Sequence, residues 1–331
     1  MPARAPPTCA SGSPAYGILT TPFDDAVPIA IAPANRPSSA AFPPLAFVAM
    51  RGRSKGVLAA ASAAGFTLMW SIVVAAGEAR AAPVSACGGA IIARGTAAHV
   101  LDGRTFVLAD GREVRLAGIE VPPLPPPGHA DAAAEGGEAA RQDLAARLAG
   151  AEIVLRQAEA PPTDRYGRLV GYGFRVTPNG ENLLQSELLA AGFARLAGRA
   201  GGRACAAELS SRERAARRGK LGLWASPYYE SLDAEHPADV LAQRGRFALV
   251  EGKVVSVRES GPIIYVNFGR HWATDFTVTI LKRNVRSFLA AGVEPKKLAG
   301  RRVLVRGWIE ERGGPWIEAS RPEQIELADG E

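Results

Sequence analysis

Val100-Leu101-Asp102-Gly103-Arg104-Thr105 opens a stretch that continues through an apolar run, Asp110-Gly111 and a second run ending in Val114-Arg115-Leu116. It closes with Ala117-Gly118-Ile119-Glu120-Val121-Pro122-Pro123. Two strand-like segments flank the Asp-Gly pair, which predicts a β-hairpin with a type I′ turn and positive φ at both central residues. Ionisable side chains, Asp102, Arg104, Arg115 and Glu120, gather where the chain leaves the sheet, a place suited to a site.

Further on comes Thr163-Asp164-Arg165-Tyr166-Gly167-Arg168, followed by an apolar run from Leu169 to Val176. With Arg115 it supplies two guanidiniums on separate strands or strand ends, able to clamp a phosphate from two sides. Between the two motifs, a Pro-rich loop (Pro122 to Gly128) leads into a helical stretch around Gly137 to Leu148. There Ala140, Leu144 and Leu148 share one face. Ile153 to Leu155 reads as a strand. After Leu169 to Val176, Asn179-Gly180 turns the chain into a second helix that buries Leu184, Leu188 and Leu189, and a third helix runs from Arg203 to Arg218. This order suits a five-stranded barrel of the OB type carrying helices, a mainly β, α+β class.

The Asp-Gly-x-Thr turn, the Arg-Leu-x-x-Ile-acid-x-Pro strand end and Asp-Arg-Tyr-Gly-Arg, in this order and spacing, resemble the staphylococcal-nuclease-like thermonucleases. The resemblance spans Val100 to Ser226, and Leu209, Glu213, Ala216 and Trp224 also fall at matching positions. It implies the thermonuclease OB-fold barrel with three helices and hydrolysis of phosphodiesters in nucleic acid. It also implies a calcium ion held by acidic side chains, a glutamate base, and two arginines on the phosphate.

Position by position, the resemblance puts Arg115 and Arg168 in place of the two arginines. Glu120 stands for a calcium-ligating aspartate, and Asp102 is kept at the turn; both are metal candidates through oxygen. Tyr166, Asp164 and Arg104 are substrate-side candidates. Two positions depart from the pattern. Arg104 stands where an acidic ligand is expected, and a guanidinium there repels a divalent cation, so it is read either as an inert turn residue or as a cation replacing the metal's charge. Pro123 stands where the glutamate base is expected. Glu113, Asp131 and Glu135 lie nearby in sequence, and Arg199 with small residues replaces the family's nucleotide-flanking tyrosines around Gly198 to Gly202. His99, His129, His236 and His271 are dispersed, without metal-ligand spacing.

Residues 1–49, rich in Pro, Ala and Ser, read as disordered or as outside the natural product. Residues 50–81 read as a secretory signal starting at Met50: Arg51, Arg53 and Lys55, an apolar run from Gly56 to Ala76, then Ala79-Arg80-Ala81. A membrane anchor is the alternative, since about 20 apolar residues span a bilayer. The small residues favour cleavage, hence no stable membrane insertion and a periplasmic or secreted location. Removing residues 1–81 lowers the net charge from +6 to +3, mildly basic and compatible with a polyanionic partner. Cys87 and Cys205 then remain, and in an oxidising compartment they suit a disulfide better than a metal site; two buried free thiols are the other reading.

The chain after the signal divides into residues 82–226, a connector at 227–245, and residues 246–331. The last part alternates over Phe247 to Val257, Ile263 to Phe268 and Phe276 to Leu281. A helix from Arg283 to Ala291 follows, then a hairpin of Arg302 to Ile309 and Trp316 to Ala319 around Gly313-Gly314, and Ile325 to Leu327. Three strands, a helix and two strands is again the OB order, a second small OB-like barrel. Such barrels bind single strands with basic grooves and aromatics. Arg270, Trp272, Lys282, Arg283, Arg306 and Trp308 are the candidates, against a reading in which both tryptophans are core and the basic residues a solvated face.

Two function classes follow. One is a metal-dependent phosphodiesterase with an incomplete calcium and base site, acting on single-stranded or unstacked DNA or RNA, with Arg115 and Arg168 as catalytic residues. The other is a non-catalytic protein of the same fold that binds nucleic acid or an envelope partner. The oligomeric state stays open.

Overall fold

The computed structural model describes residues 85–125 and 132–328; the leader at 1–49, the signal at 50–81, His129 and Asp131 lie outside them. In the first half the order is β1 (Ile91–Asp102), β2 (Thr105–Leu108), β3 (Glu113–Leu116), β4 (Ile119–Glu120), α1 (Ala132–Leu148), β5 (Glu152–Gln157), β6 (Leu169–Thr177), β7 (Gly180–Leu183), α2 (Leu184–Ala190), β8 (Arg195–Leu196) and α3 (Arg203–Arg218). β1 is long enough to pair with β5 along its first half and with β2 along its second. β2 pairs with β3, β3 runs parallel to β6, and β6 returns to β5. The five strands therefore form a closed ring, leaving no open edge within it. Its interior is filled by Phe106, Val114, Leu116, Ile153 and Leu155, with Leu144 of α1 and Leu184 and Leu188 of α2 closing the ends.

The β2–β3 hairpin forms with a different turn from the one expected. Gly111 N–H donates to Leu108 O, and Leu108 N–H donates to Arg112 O, each at 2.9 Å. Gly111, at φ +87°, is the left-handed residue, and Asp110 is not. This is a type I turn closed by a glycine bulge, the favoured three-residue loop. Gly103 has another role. A Cβ there would lie 2.6 Å from the Ala140 Cβ, so its missing side chain lets α1 close on the end of the first hairpin. Downstream of Asn179-Gly180 the chain adds β7 to the edge of β6 before entering α2, where the sequence suggested a direct turn into helix. α3 spans Arg203–Arg218 as expected, with Arg217 and Arg218 in its last turn, where cations suit the helix dipole. Cys205 on α3 is bonded to Cys87, just ahead of β1.

The connector folds into a short turn at Pro227–Tyr229, β9 (Leu232–Asp233) and α4 (Pro237–Ala242). There follow β10 (Phe247–Lys253), β11 (Ser256–Ser260), β12 (Ile263–Asn267), β13 (Thr277–Leu281), α5 (Val285–Ala290), β14 (Arg302–Trp308), β15 (Glu310–Arg312), β16 (Gly314–Glu318) and β17 (Ile325–Leu327). The expected single strand Phe247 to Val257 is broken after Lys253. Its first part pairs with β14 and its second with β12. The closing hairpin is made by β15 and β16, not β14 and β16, because the chain bends at Ile309 and passes from one sheet to the other. β13 and β16 pair in parallel, as β3 and β6 do, and the strands of this half form two sheets, one ordered β17-β14-β10-β9 and the other β11-β12-β13-β16-β15.

A third apolar cluster joins the two halves: Ala216, Leu223 and Trp224 meet Phe247, Leu249 and Leu304. Beside it lies Arg306, 1% exposed, whose Nη1 is 2.5 Å from Glu213 Oε2 and whose Nη2 is 2.9 Å from Glu326 Oε2. Arg306 is thus a buried strut of the seam, which corrects its reading as a surface contact for nucleic acid. Trp272 and Trp308, at 76% and 53% exposed, are not core. No helix among the described residues is long and apolar enough to cross a membrane.

Candidate phosphate-binding cleft

The open end of the first ring is built by the turn between β1 and β2, the C-terminal ends of β3 and β4, and the Asp164–Arg168 loop that leads into β6. Asp102 Oδ1 accepts the Arg104 backbone N–H at 2.8 Å, so the acid closes the tight turn in the manner of an Asx turn. That turn points the Arg104 side chain along β4. Its Nη1 donates to Ile119 O at 2.9 Å and stands 2.5 Å from Glu120 Oε2. Both side chains are largely buried, at 13% and 15% exposed, so solvent screens the pair little.

The second motif is braced from within. Asp164 Oδ1 accepts the backbone N–H groups of Tyr166 and Arg168, and Asp164 Oδ2 receives Arg168 Nε at 2.8 Å and Nη2 at 2.7 Å. Gly167, at φ +79°, permits the reversal. Glu113 on β3 lies 3.7 Å from the same guanidinium. The hydrogen bond that Arg168 donates to Asp164 raises the Arg168 pKa. Burial opposes ionisation of Asp164, but the hydrogen bonds from Arg168 and the two backbone groups prevail and hold its carboxyl below the usual range. Tyr166 is exposed, with the guanidiniums of Arg165 and Arg168 over its ring at 4.8 and 5.1 Å.

Arg115 differs from its neighbours. It sits opposite Thr105 on β2 and Val170 on β6, and its guanidinium makes no hydrogen bond or ion pair to any described residue. Burial lowers its pKa first, the positive charge of Arg104 adds to that effect and Arg168 adds a little more, while Glu120 and Asp102 oppose it. An arginine keeps its charge under such a shift. The result is a half-desolvated cation with unused donors, lining a cleft of about 370 Å³ together with Arg104, Glu120, Asp164, Tyr172 and Arg199. Such a group suits a phosphate, which accepts two parallel N–H donors.

The cleft thus brings together Arg104, Arg115, Glu120 and Asp164; Asp102 and Arg168 do not line it but stand near enough for their charges to act on Arg115, and Tyr166 is not among its walls. Glu135, exposed on α1, stands apart. Two residues escaped the sequence reading. Tyr172 on β6 is buried with its hydroxyl unpartnered, and burial raises its pKa. Gln185 on α2 donates to Ala117 O and Gly171 O and accepts from Gly173 N–H, which fixes the β3–β6 junction below the cleft. A glutamine between Leu184 and Leu188 on a buried face was the available signal.

The acidic set does not fit a calcium ion. Calcium takes six to eight oxygen ligands, but the Glu120 carboxylate is already met by a guanidinium and Asp102 serves the turn. Among the described residues no three acidic, His or Cys side chains group to hold a metal.

Comparison with protein families matches residues 113–226 to the staphylococcal nuclease homologue family. The matched segment holds Arg115, Glu120, Asp164, Tyr166 and Arg168, while Asp102 and Arg104 precede it. No curated protein matches the chain.

Proposed function

From the premise that residues 113–226 are a staphylococcal nuclease homologue domain, we propose that this protein binds single-stranded nucleic acid through its phosphodiesters, without a metal ion and without cleaving it. The observation that carries this reading is the contrast between two arginines. Arg104 is spent on Glu120 at 2.5 Å, supplying internally the positive charge that a cation would bring, whereas Arg115 is left with donors to offer. Arg168 is itself held through Nε and Nη2 by Asp164, so beside Arg115 it contributes positive field rather than free donors, with the Tyr166 ring packed against its guanidinium.

Hydrolysis needs a group to take a proton from water. Pro123 stands at the strand end where a base is expected, and the carboxylates lining the cleft, Glu120, Asp164 and Glu159, are each met by a guanidinium. The retained pair Arg115 and Arg168 would also suit charge developing on phosphorus, so the hydrolytic reading is the one the assay must exclude. The second half, whose parallel β13–β16 pair matches β3–β6 of the first, is taken as an OB-like module continuing the binding surface. The Cys87–Cys205 disulfide fits an oxidising compartment and supports export by the signal at Met50.

Fluorescence anisotropy with a labelled single-stranded oligonucleotide tests the reading. Binding should persist in EDTA, weaken with rising salt as phosphate contacts do, and fall by about 10- to 150-fold in Arg115→Ala, the loss of a charged hydrogen bond of roughly 1.5–3 kcal/mol. Calcium should leave the melting temperature unchanged, since no group of side chains among the described residues is built to bind it. Calcium-dependent cutting that Arg168→Ala abolishes would restore the nuclease reading; absence of binding would overturn the proposal.

A further inference from the structure

The Arg104–Glu120 pair is shared by two cavities. On one side lies the phosphate cleft; on the other a larger groove of about 570 Å³ opens between the Pro122–Pro125 strap and the second half. The link is built into the backbone, because Glu120 on β4 is paired with Arg195 on β8, and Arg195 lines the groove.

We infer that this groove holds a nucleobase of the same strand whose phosphate lies on Arg115, an inference that rests on the reading above and names where the base goes. Its walls are aromatic. Trp308 is half exposed, touching Phe247 in a T-shaped contact at 6.1 Å. Tyr228 is partly exposed, with the Arg246 guanidinium 5.1 Å from its ring centre. Arg195, 8% exposed, is flanked by Tyr229 and Phe247 at 5.4 and 5.1 Å and donates to Phe247 O at 2.7 Å. Its Nε–H has no acceptor, an uncommon condition for a buried donor.

The aromatic lining identifies the occupant. Asp102, Glu120 and Glu230 balance Arg104, Arg195 and Arg246 along the groove, so it carries no surplus positive charge to attract a polyanion; in the other cleft Glu120, Glu159 and Asp164 likewise stand beside Arg104, Arg115 and Arg199, and it is the unpaired Arg115 guanidinium that suits a phosphate there. An uncharged aromatic with edge acceptors fits: it can stack on indole or phenol, and its carbonyl oxygens or ring nitrogens can meet guanidinium donors. A base attached to a phosphate on Arg115 meets both conditions.

The test uses the full chain, a single-stranded oligonucleotide and an abasic oligonucleotide of equal length. Trp308→Ala should weaken the base-bearing strand by roughly 5- to 150-fold, the range for loss of one stacked base, and leave the abasic strand unchanged. Trp308→Phe should recover part of the loss, and Arg115→Ala should weaken both strands. Equal affinity of the two strands for the unaltered chain, or an unchanged affinity in Trp308→Ala, overturns the base site while the phosphate reading stands. Failure of the unaltered chain to bind either strand overturns both.

Discussion

Replacing Glu213 by glutamine removes the charge that faces Arg306 while keeping an oxygen for the Leu196 N–H, which Glu213 Oε1 accepts at 2.7 Å. Arg306 and Glu213 are 1% and 0% exposed, and breaking a buried pair by removing one partner costs about 3–5 kcal/mol. Glu326 still meets Arg306 at 2.9 Å, but it is itself 16% exposed. The cost of Glu213→Gln should therefore sit near the lower end, about 3 kcal/mol. Arg306→Met should cost at least as much, because it leaves Glu213 buried without a cation. Combining the two substitutions removes both charges together and should recover most of the loss, so the double-mutant cycle should give a coupling of at least about 1 kcal/mol. Urea titration followed by tryptophan fluorescence reads all four proteins, with equal m values required for the comparison. A Glu213→Gln protein within about 1 kcal/mol of the parent, or strictly additive substitutions, would refute the claim that the pair holds the seam.

Replacing Cys87 and Cys205 together by serine opens a link across 118 residues, and the chain-entropy model allows a loss of up to about 4.7 kcal/mol, seen as a lower melting temperature. Gly103→Ala should cost about 1–3 kcal/mol in the same melt, because its Cβ would approach the Ala140 Cβ to 2.6 Å; Ala140→Gly should restore part of it. Since the folded Asp164 carboxyl titrates below its ordinary value, its contribution to stability is complete above about pH 4 and is lost as pH falls through the folded value. The stability gap between the parent and Asp164→Asn should therefore close on acidification; a gap that is flat with pH would count against the brace on Arg168.

The barrel was legible because its signals are local: Asp110-Gly111 marks the hairpin, and the stripe Ala140, Leu144, Leu148 gives α1 its buried face. The details that escaped were set by distant parts of the chain. The hairpin loop took three residues because only Gly111 adopts positive φ, which the Asp-Gly pair alone does not decide. β7 was hidden because Glu181 and Asn182 have no apolar alternation, and their strand exists by pairing with β6. Arg306 was misplaced because a lone arginine in a strand ordinarily marks the wet face; here Val303 to Gly307 are all buried, since β14 has the second core on one side and α3 on the other. At the site, the residue types at Arg104 and Pro123 announced an altered cleft, and the ion pair to Glu120 needed coordinates.

The seam also bears on heredity. Gly198 of the first half lies against the Gln324 side chain of the second, where a Cβ would come within 2.5 Å of Gln324 Cγ, and that carboxamide in turn donates to Arg306 O and Glu318 O. Lock and key are thus encoded more than a hundred codons apart. Exchanging the first ring for that of a cousin lacking Gly198 and Glu213 would leave a steric clash and an uncompensated cation. Recombination within the connector would therefore bring both faults at once, and the two halves are expected to vary in sequence as a pair.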